Sequence, residues 1–74
     1  MSVLSTIRKF TGLEVSQSTR LVEDLGLDSL DLVELVMEVE SQHKVEISDE
    51  EVSRLVTVYD LERLVETKRS NGHG

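Results

Sequence analysis

Cysteine, proline and tryptophan are absent from this 74-residue chain, which holds one tyrosine and one phenylalanine. Without cysteine there is no disulfide and no thiolate zinc site, which fits a reducing, cytoplasmic compartment or the interior of an organelle. With so few aromatics, the core must be built from Leu, Val and Ile. Basic residues are scarce too: eight Lys and Arg face fifteen Asp and Glu, for a formal net charge of -7. Such a surface is repelled by nucleic-acid phosphates and by anionic membranes. It suits steered encounter with basic proteins. His43 and His73 are the only histidines, and they share no metal-ligand spacing. No apolar run approaches the length of a membrane span. The opening stretch is too short in its apolar part for a secretory signal.

What is present is helical patterning in a single small domain, residues 1–69, followed by a polar, glycine-containing tail over 70–74 expected to fray. A first helix is predicted from Ser2 to Thr11, with Ser2 as cap, Leu4, Ile7 and Phe10 or Thr11 inward, and Gly12 as stop. A long loop follows, docked on the core by Leu21, Val22 and Leu25. Asp28 caps a second helix, with Asp31 in the capping-box position. Its apolar stripe is Leu32, Val36, Val39 and His43, with Leu35 beside it. A second ridge is Leu30, Val33 and Met37, and Asp31, Glu34 and Glu38 form an acidic line. Ser48 to Glu51 is a capping box opening a short helix, with Val52, Leu55 and Val56 inward. Thr57 to Asp60 caps a last helix with Val58, Leu61, Leu64 and Val65 on one side. No segment alternates like a strand. The fold class is all-α: a bundle of three main helices plus one short helix, with a long first loop.

Ser29, at the start of the second helix, is the candidate functional residue. As a nucleophile it needs a base within roughly 2.6–3.2 Å. His43 is fourteen residues along the same predicted helix, roughly 21 Å away at about 1.5 Å per residue. The nearby groups are Asp24, Asp28 and Asp31, carboxylates that are weak bases at neutral pH. No catalytic residues are assigned, and an esterase-like reading is poor. A calcium-loop reading fails on register, because from Asp24 the glycine falls third rather than sixth. As an acceptor, Ser29 fits: a phosphodiester on the first helical residue meets unpaired N–H groups and the positive end of the dipole, worth about 0.3–1 kcal/mol at an exposed site. The bland alternative is a capping-region serine.

The longer context weighs against that alternative. Leu25-Gly26-Leu27-Asp28-Ser29-Leu30-Asp31, preceded by Val22-Glu23-Asp24 and followed by Val33-Glu34-Leu35-Val36-Met37, closely resembles the acyl carrier protein family, in its discrete, free-standing form. Glu46-Ile47-Ser48-Asp49-Glu50-Glu51 and the capped last helix are similar to that family too. The resemblance runs from Leu21 to about Val65 and is most specific at the serine. It implies that a phosphopantetheinyl transferase attaches 4′-phosphopantetheine from coenzyme A to Ser29. It implies that acyl groups travel on the arm's thiol as thioesters, for fatty acid biosynthesis or a related specialised pathway, with the chain itself no enzyme. An acyl cavity would be lined by Leu35, Val36, Val39, Leu55, Leu61 and Val65, which are equally core residues. Acyl-processing enzymes with basic docking patches would meet Asp28, Asp31, Glu34 and Glu40, with Leu30 and Met37 as apolar contacts. From Glu23 through Glu40 every charged residue is acidic, which favours a binding face over a merely solvated one. A monomer is expected, without membrane insertion or nucleic-acid binding.

Two other functions stay open: a carrier of polyketide, aminoacyl or peptidyl groups, and an unmodified acidic adaptor that docks a larger complex. The chain departs from the family pattern in a short stretch between Gly12 and Val15. It departs again in His43, where an aromatic is usual, and in Lys44, where an acid is common. These departures point toward a specialised carrier.

Overall fold

Capping chemistry decides where the helices begin. The computed structural model describes residues 2–71, and among them the chain forms α1 (Val3–Thr11), α2 (Ser29–His43), α3 (Asp49–Ser53) and α4 (Val58–Asn71). The Ser2 hydroxyl accepts the Ser5 N–H at 3.1 Å, and Gly12, in the left-handed region at φ 71°, closes α1 through its N–H to Arg8 O at 2.8 Å. Asp28 and Asp31 form a reciprocal box at α2, and Ser48 and Glu51 do the same at α3. At α4 the Thr57 hydroxyl accepts the Asp60 N–H at 3.2 Å, while Asp60 Oδ2 accepts the Thr57 and Val56 N–H groups at 3.1 and 3.0 Å. Each cap satisfies donors that a helix start leaves orphaned. The α4 helix runs to Asn71, two residues into the expected tail. The remainder of the expected tail, 72–74, lies outside the described residues.

α2 packs against α1 and α3, and α1 against α4. Ile7, Leu21, Leu35, Val39, Val58, Leu61 and Val65 are fully buried between them. The core is aliphatic, as the composition requires. Three details differ from the sequence expectation. In α1 the buried residues are Val3, Thr6 and Ile7, and Phe10 sits at the rim. Thr6 tolerates burial because its hydroxyl is bonded to Ser2 O and to His43. Val22 is exposed: Leu21 and Leu25 face inward one helical turn apart, which turns Val22 to solvent. Val56 is also exposed, at 55%: it lies beyond the end of α3, in a segment held through its main chain.

The loop between Gly12 and Asp28 is held by its main chain as well as by leucines. Leu21 N–H bonds Val56 O at 2.8 Å, Val58 N–H bonds Thr19 O at 2.9 Å, and Tyr59 N–H bonds Gln17 O at 3.0 Å. Arg20 and Thr57 make an isolated antiparallel bridge. Val56 therefore contributes its carbonyl, and not its side chain, to this junction. Arg20 closes the loop's far end on Glu23 and Asp24, at 2.6 and 3.0 Å. Gly26, at φ 70°, makes the turn into Leu27, whose burial delivers the chain to Asp28 and the start of α2.

Candidate functional site

The α2 cap consumes some backbone donors and leaves others. Asp28 Oδ1 takes the Asp31 N–H at 2.8 Å, and Asp28 O takes the Leu32 N–H at 2.9 Å. The N–H groups of Ser29 and Leu30 have no partner among the described residues. Ser29 is the first helical residue, it is exposed, and its hydroxyl is also unbonded within that set. A negatively charged group attached there meets two open donors and the positive end of a fifteen-residue helix.

Among the described residues no side chain is hydrogen-bonded to that hydroxyl. His43 closes the opposite end of α2, where it is 8% exposed and its Nε2 lies 3.3 Å from Thr6 Oγ1. Burial, followed by the positive charge of Arg69, holds the His43 pKa below its ordinary value. Asp24 is held below the usual carboxylate range by its hydrogen bonds to the Arg20 side chain and backbone. Glu51 is lowered by the Ser48 N–H and by Lys68, and Asp60 by the Thr57 and Val56 N–H groups. These shifts belong to caps and loop closures, and among the described residues no group of metal-ligating side chains is found. The arrangement leaves the Ser29 hydroxyl exposed and without a hydrogen-bond partner among the described residues.

Along α2 from Ser29 the exposed side chains make one continuous face. Leu30 is 68% and Met37 60% exposed, and Asp28 and Glu34 are exposed beside them, with Asp31 half-buried. Val33 and Glu38 are exposed on the same face. Both were visible in the sequence as members of its apolar ridge and acidic line. Glu40 is different. It is half-buried, and its Oε2 accepts the Ile47 N–H at 2.7 Å, so its carboxylate fastens the loop after α2. Leu35, Val36, Val39, Leu55, Leu61 and Val65 are all buried members of the one core cluster.

Residues 2–65 match the family model described as the phosphopantetheine attachment site. The chain is 50% identical over 56 residues to an acyl carrier protein of Wolinella succinogenes, covering 76% of this chain and 74% of that protein. It is 42% identical over 69 residues to an acyl carrier protein of Thermotoga maritima, covering 89% and 85%. A crystal structure of an acyl carrier protein from Thermotoga maritima superimposes with a TM-score of 0.76 at 30% identity, over 93% of this chain and 84% of that one. The family match and the superimposed structure define this helical bundle as a carrier-type domain. This chain belongs to the phosphopantetheine-attachment family of acyl carrier proteins, whose prosthetic group is 4′-phosphopantetheine.

Proposed function

We propose that Ser29 is the residue to which 4′-phosphopantetheine is attached, and that the domain carries acyl intermediates between the enzymes of fatty acid biosynthesis or a related specialised pathway. The observation that carries this reading is the exposed, unbonded Ser29 hydroxyl beside the open N–H groups of Ser29 and Leu30. When bound, the prosthetic group supplies the terminal thiol on which acyl groups ride as thioesters, and the chain has no cysteine of its own to compete. The protein's part is presentation: Asp28 fixes the helix start, Gly26 and Leu27 set the turn into it, and the transferase brings the base that α2 lacks.

Enzymes with basic patches dock, on this reading, against Asp28, Asp31 and Glu34, with Leu30 and Met37 seated in apolar recesses. Val33 and Glu38 extend that face, while Glu40 serves the loop. An acyl chain shelters by parting the aliphatic core around Leu35, Val36, Val39, Leu55, Leu61 and Val65. Dispersion and hydrophobic burial are non-directional, so methylenes that enter there regain aliphatic contacts, against the cost of displacing side chains that pack together without them. The domain acts as a cytoplasmic monomer, and no described helix is long and apolar enough to cross a membrane.

Incubation with coenzyme A and a broad-specificity phosphopantetheinyl transferase should add one phosphopantetheine by intact mass, and Ser29→Ala should add none. An equal gain on Ser29→Ala would move the attachment elsewhere. No gain on the parent chain would favour an unmodified acidic adaptor. Loading of the modified chain with acyl, aminoacyl or polyketide precursors by their respective ligases then separates the carrier classes.

A further inference from the structure

The basic residues are not scattered. None lies between Glu23 and Glu40, whereas Lys44, Arg54, Arg63 and Lys68 line two adjoining grooves along α3 and α4. One groove, of about 430 Å³, has Arg54 and Arg63 at its walls and Leu55, Leu64 and Tyr59 between them. The other, of about 560 Å³, runs from Leu64 to Val45 and Lys44. Glu51, Leu64 and Thr67 belong to both, so the two are continuous.

Hydrogen bonds and one ion pair decide which charged groups in these walls are free to turn toward a ligand. Lys68 pairs with Glu51 at 2.9 Å, and Glu51 also takes the Ser48 N–H. Asp60 is spent on the N–H groups of Val56 and Thr57. Among the described residues Arg54, Arg63 and Lys44 have no carboxylate partner. Four cations, Lys44, Arg54, Arg63 and Lys68, therefore line the grooves against three carboxylates, Glu46, Glu51 and Asp60, and of the four only Lys68 is ion-paired among the described residues. On a chain of net charge -7 this lining has a small excess of cations, and it has an apolar floor.

We propose that the α3–α4 groove is a second docking surface, and that its occupant is an acidic segment of a partner protein. One apolar side chain of that segment sits over Leu55 and Leu64 against Tyr59. Its flanking carboxylates meet the Arg54 and Arg63 guanidiniums, which favour planar, bidentate carboxylate pairing. The groove does not include Ser29, so this surface stands apart from the attachment reading. Two faces of opposite charge allow one partner to hold the domain while α2 remains open to another.

The test uses the full, unmodified chain labelled with ¹⁵N. The probe is a synthetic amphipathic peptide of Asp, Glu and Leu, titrated at low salt. Amide shifts should centre on Arg54, Leu55, Tyr59, Arg63 and Leu64, and raised salt should weaken binding. Arg54→Glu combined with Arg63→Glu should weaken it about tenfold or more, as expected when two steering charges are reversed. Arg54→Gln with Arg63→Gln gives the same reading if charge reversal disturbs the fold. A Lys/Leu peptide should instead shift α2, which separates failure of this groove from failure of the α2 docking face. Shifts by the acidic peptide that spread over the surface, or binding that survives both double variants, overturn the proposal. So does groove binding to phosphatidylglycerol vesicles with none to the peptide.

Discussion

The imidazole Nε2 of His43 lies 3.3 Å from the Thr6 hydroxyl in the buried seam between α1 and α2. The Thr6 Oγ1 is also 3.2 Å from Ser2 O, a carbonyl that can only accept, so the hydroxyl proton goes there. His43 then donates from Nε2–H to the Thr6 oxygen, so Nε2 carries a proton whether or not Nδ1 does. Burial and the Arg69 charge both favour the neutral imidazole, while Glu62 and Glu66 of α4 share the small surface pocket beside it.

A pH dependence of stability follows from that burial. The unfolded His43 titrates near 6.5 and the folded one lower. Stability is therefore complete above the unfolded value and is lost as pH falls from 6.5 toward the folded value, because the unfolded state binds the proton first. The melting temperature should drop across this interval, and His43→Phe should flatten the dependence between about pH 5 and 8. A parent chain whose melting temperature is constant over that range would remove His43 from the account.

The junction at the start of α4 carries a second expectation. Thr57 caps the helix, and Asp60 returns the bond while also holding Val56 N–H, next to the carbonyl that pins Leu21. Thr57→Ala should cost about 0.5–2 kcal/mol in denaturant unfolding, the range for loss of an N-cap. Hydrogen exchange should show the Leu21 and Val58 amides opening along with the helix start. Loss of stability with those two amides unchanged would mean that the loop is held by its leucines alone.

The helix caps were legible in the sequence because a cap is written in four consecutive residues. Ser2, Asp28, Ser48 and Thr57 all stand where pattern alone put them. The position of Ser29 as the first residue of α2 was legible for the same reason. The pairing of residues 17–21 with 56–59 was not, since main-chain bonds between distant segments leave no local periodicity. That pairing explains why Val56 points outward although its hydropathy argued for the core. Glu40 had the composition of a docking residue. Only the path of the loop through Ile47 shows that its carboxylate is used internally.

Lys44 offers a route to a more stable chain. It ends α2 at φ 58°, in the left-handed region, and is the only described non-glycine residue with positive φ. A side chain costs roughly 1–2 kcal/mol in that conformation, and glycine is the residue helices commonly place there. Lys44→Gly should raise stability by about 0.5–1 kcal/mol, part of the relief being offset by the freer unfolded chain. Chemical unfolding would show a higher midpoint with an unchanged slope. A lower midpoint would mean that the Lys44 side chain contributes more than its backbone costs.

Self-repulsion along α2 gives the last expectation. Asp31, Glu34 and Glu38 follow one another at helical spacing, and the nearest cation before them, Arg20, is already paired with Glu23 and Asp24. Like charges three or four residues apart on a helix destabilise it by about 0.2–0.5 kcal/mol per pair. Glu34 has such a neighbour on each side, so Glu34→Gln should raise stability by roughly 0.4–1 kcal/mol at low ionic strength. The gain should vanish near 1 M sodium chloride, where screening acts within about 3 Å. The parent chain should itself melt higher as salt or magnesium is added. The same substitution should slow association with basic partner enzymes, because it removes steering charge from the proposed docking face. A variant that gains stability without losing association rate would show that α2 repulsion is unrelated to docking. A parent melting temperature indifferent to salt would show that the carboxylates are too far apart in solution to repel.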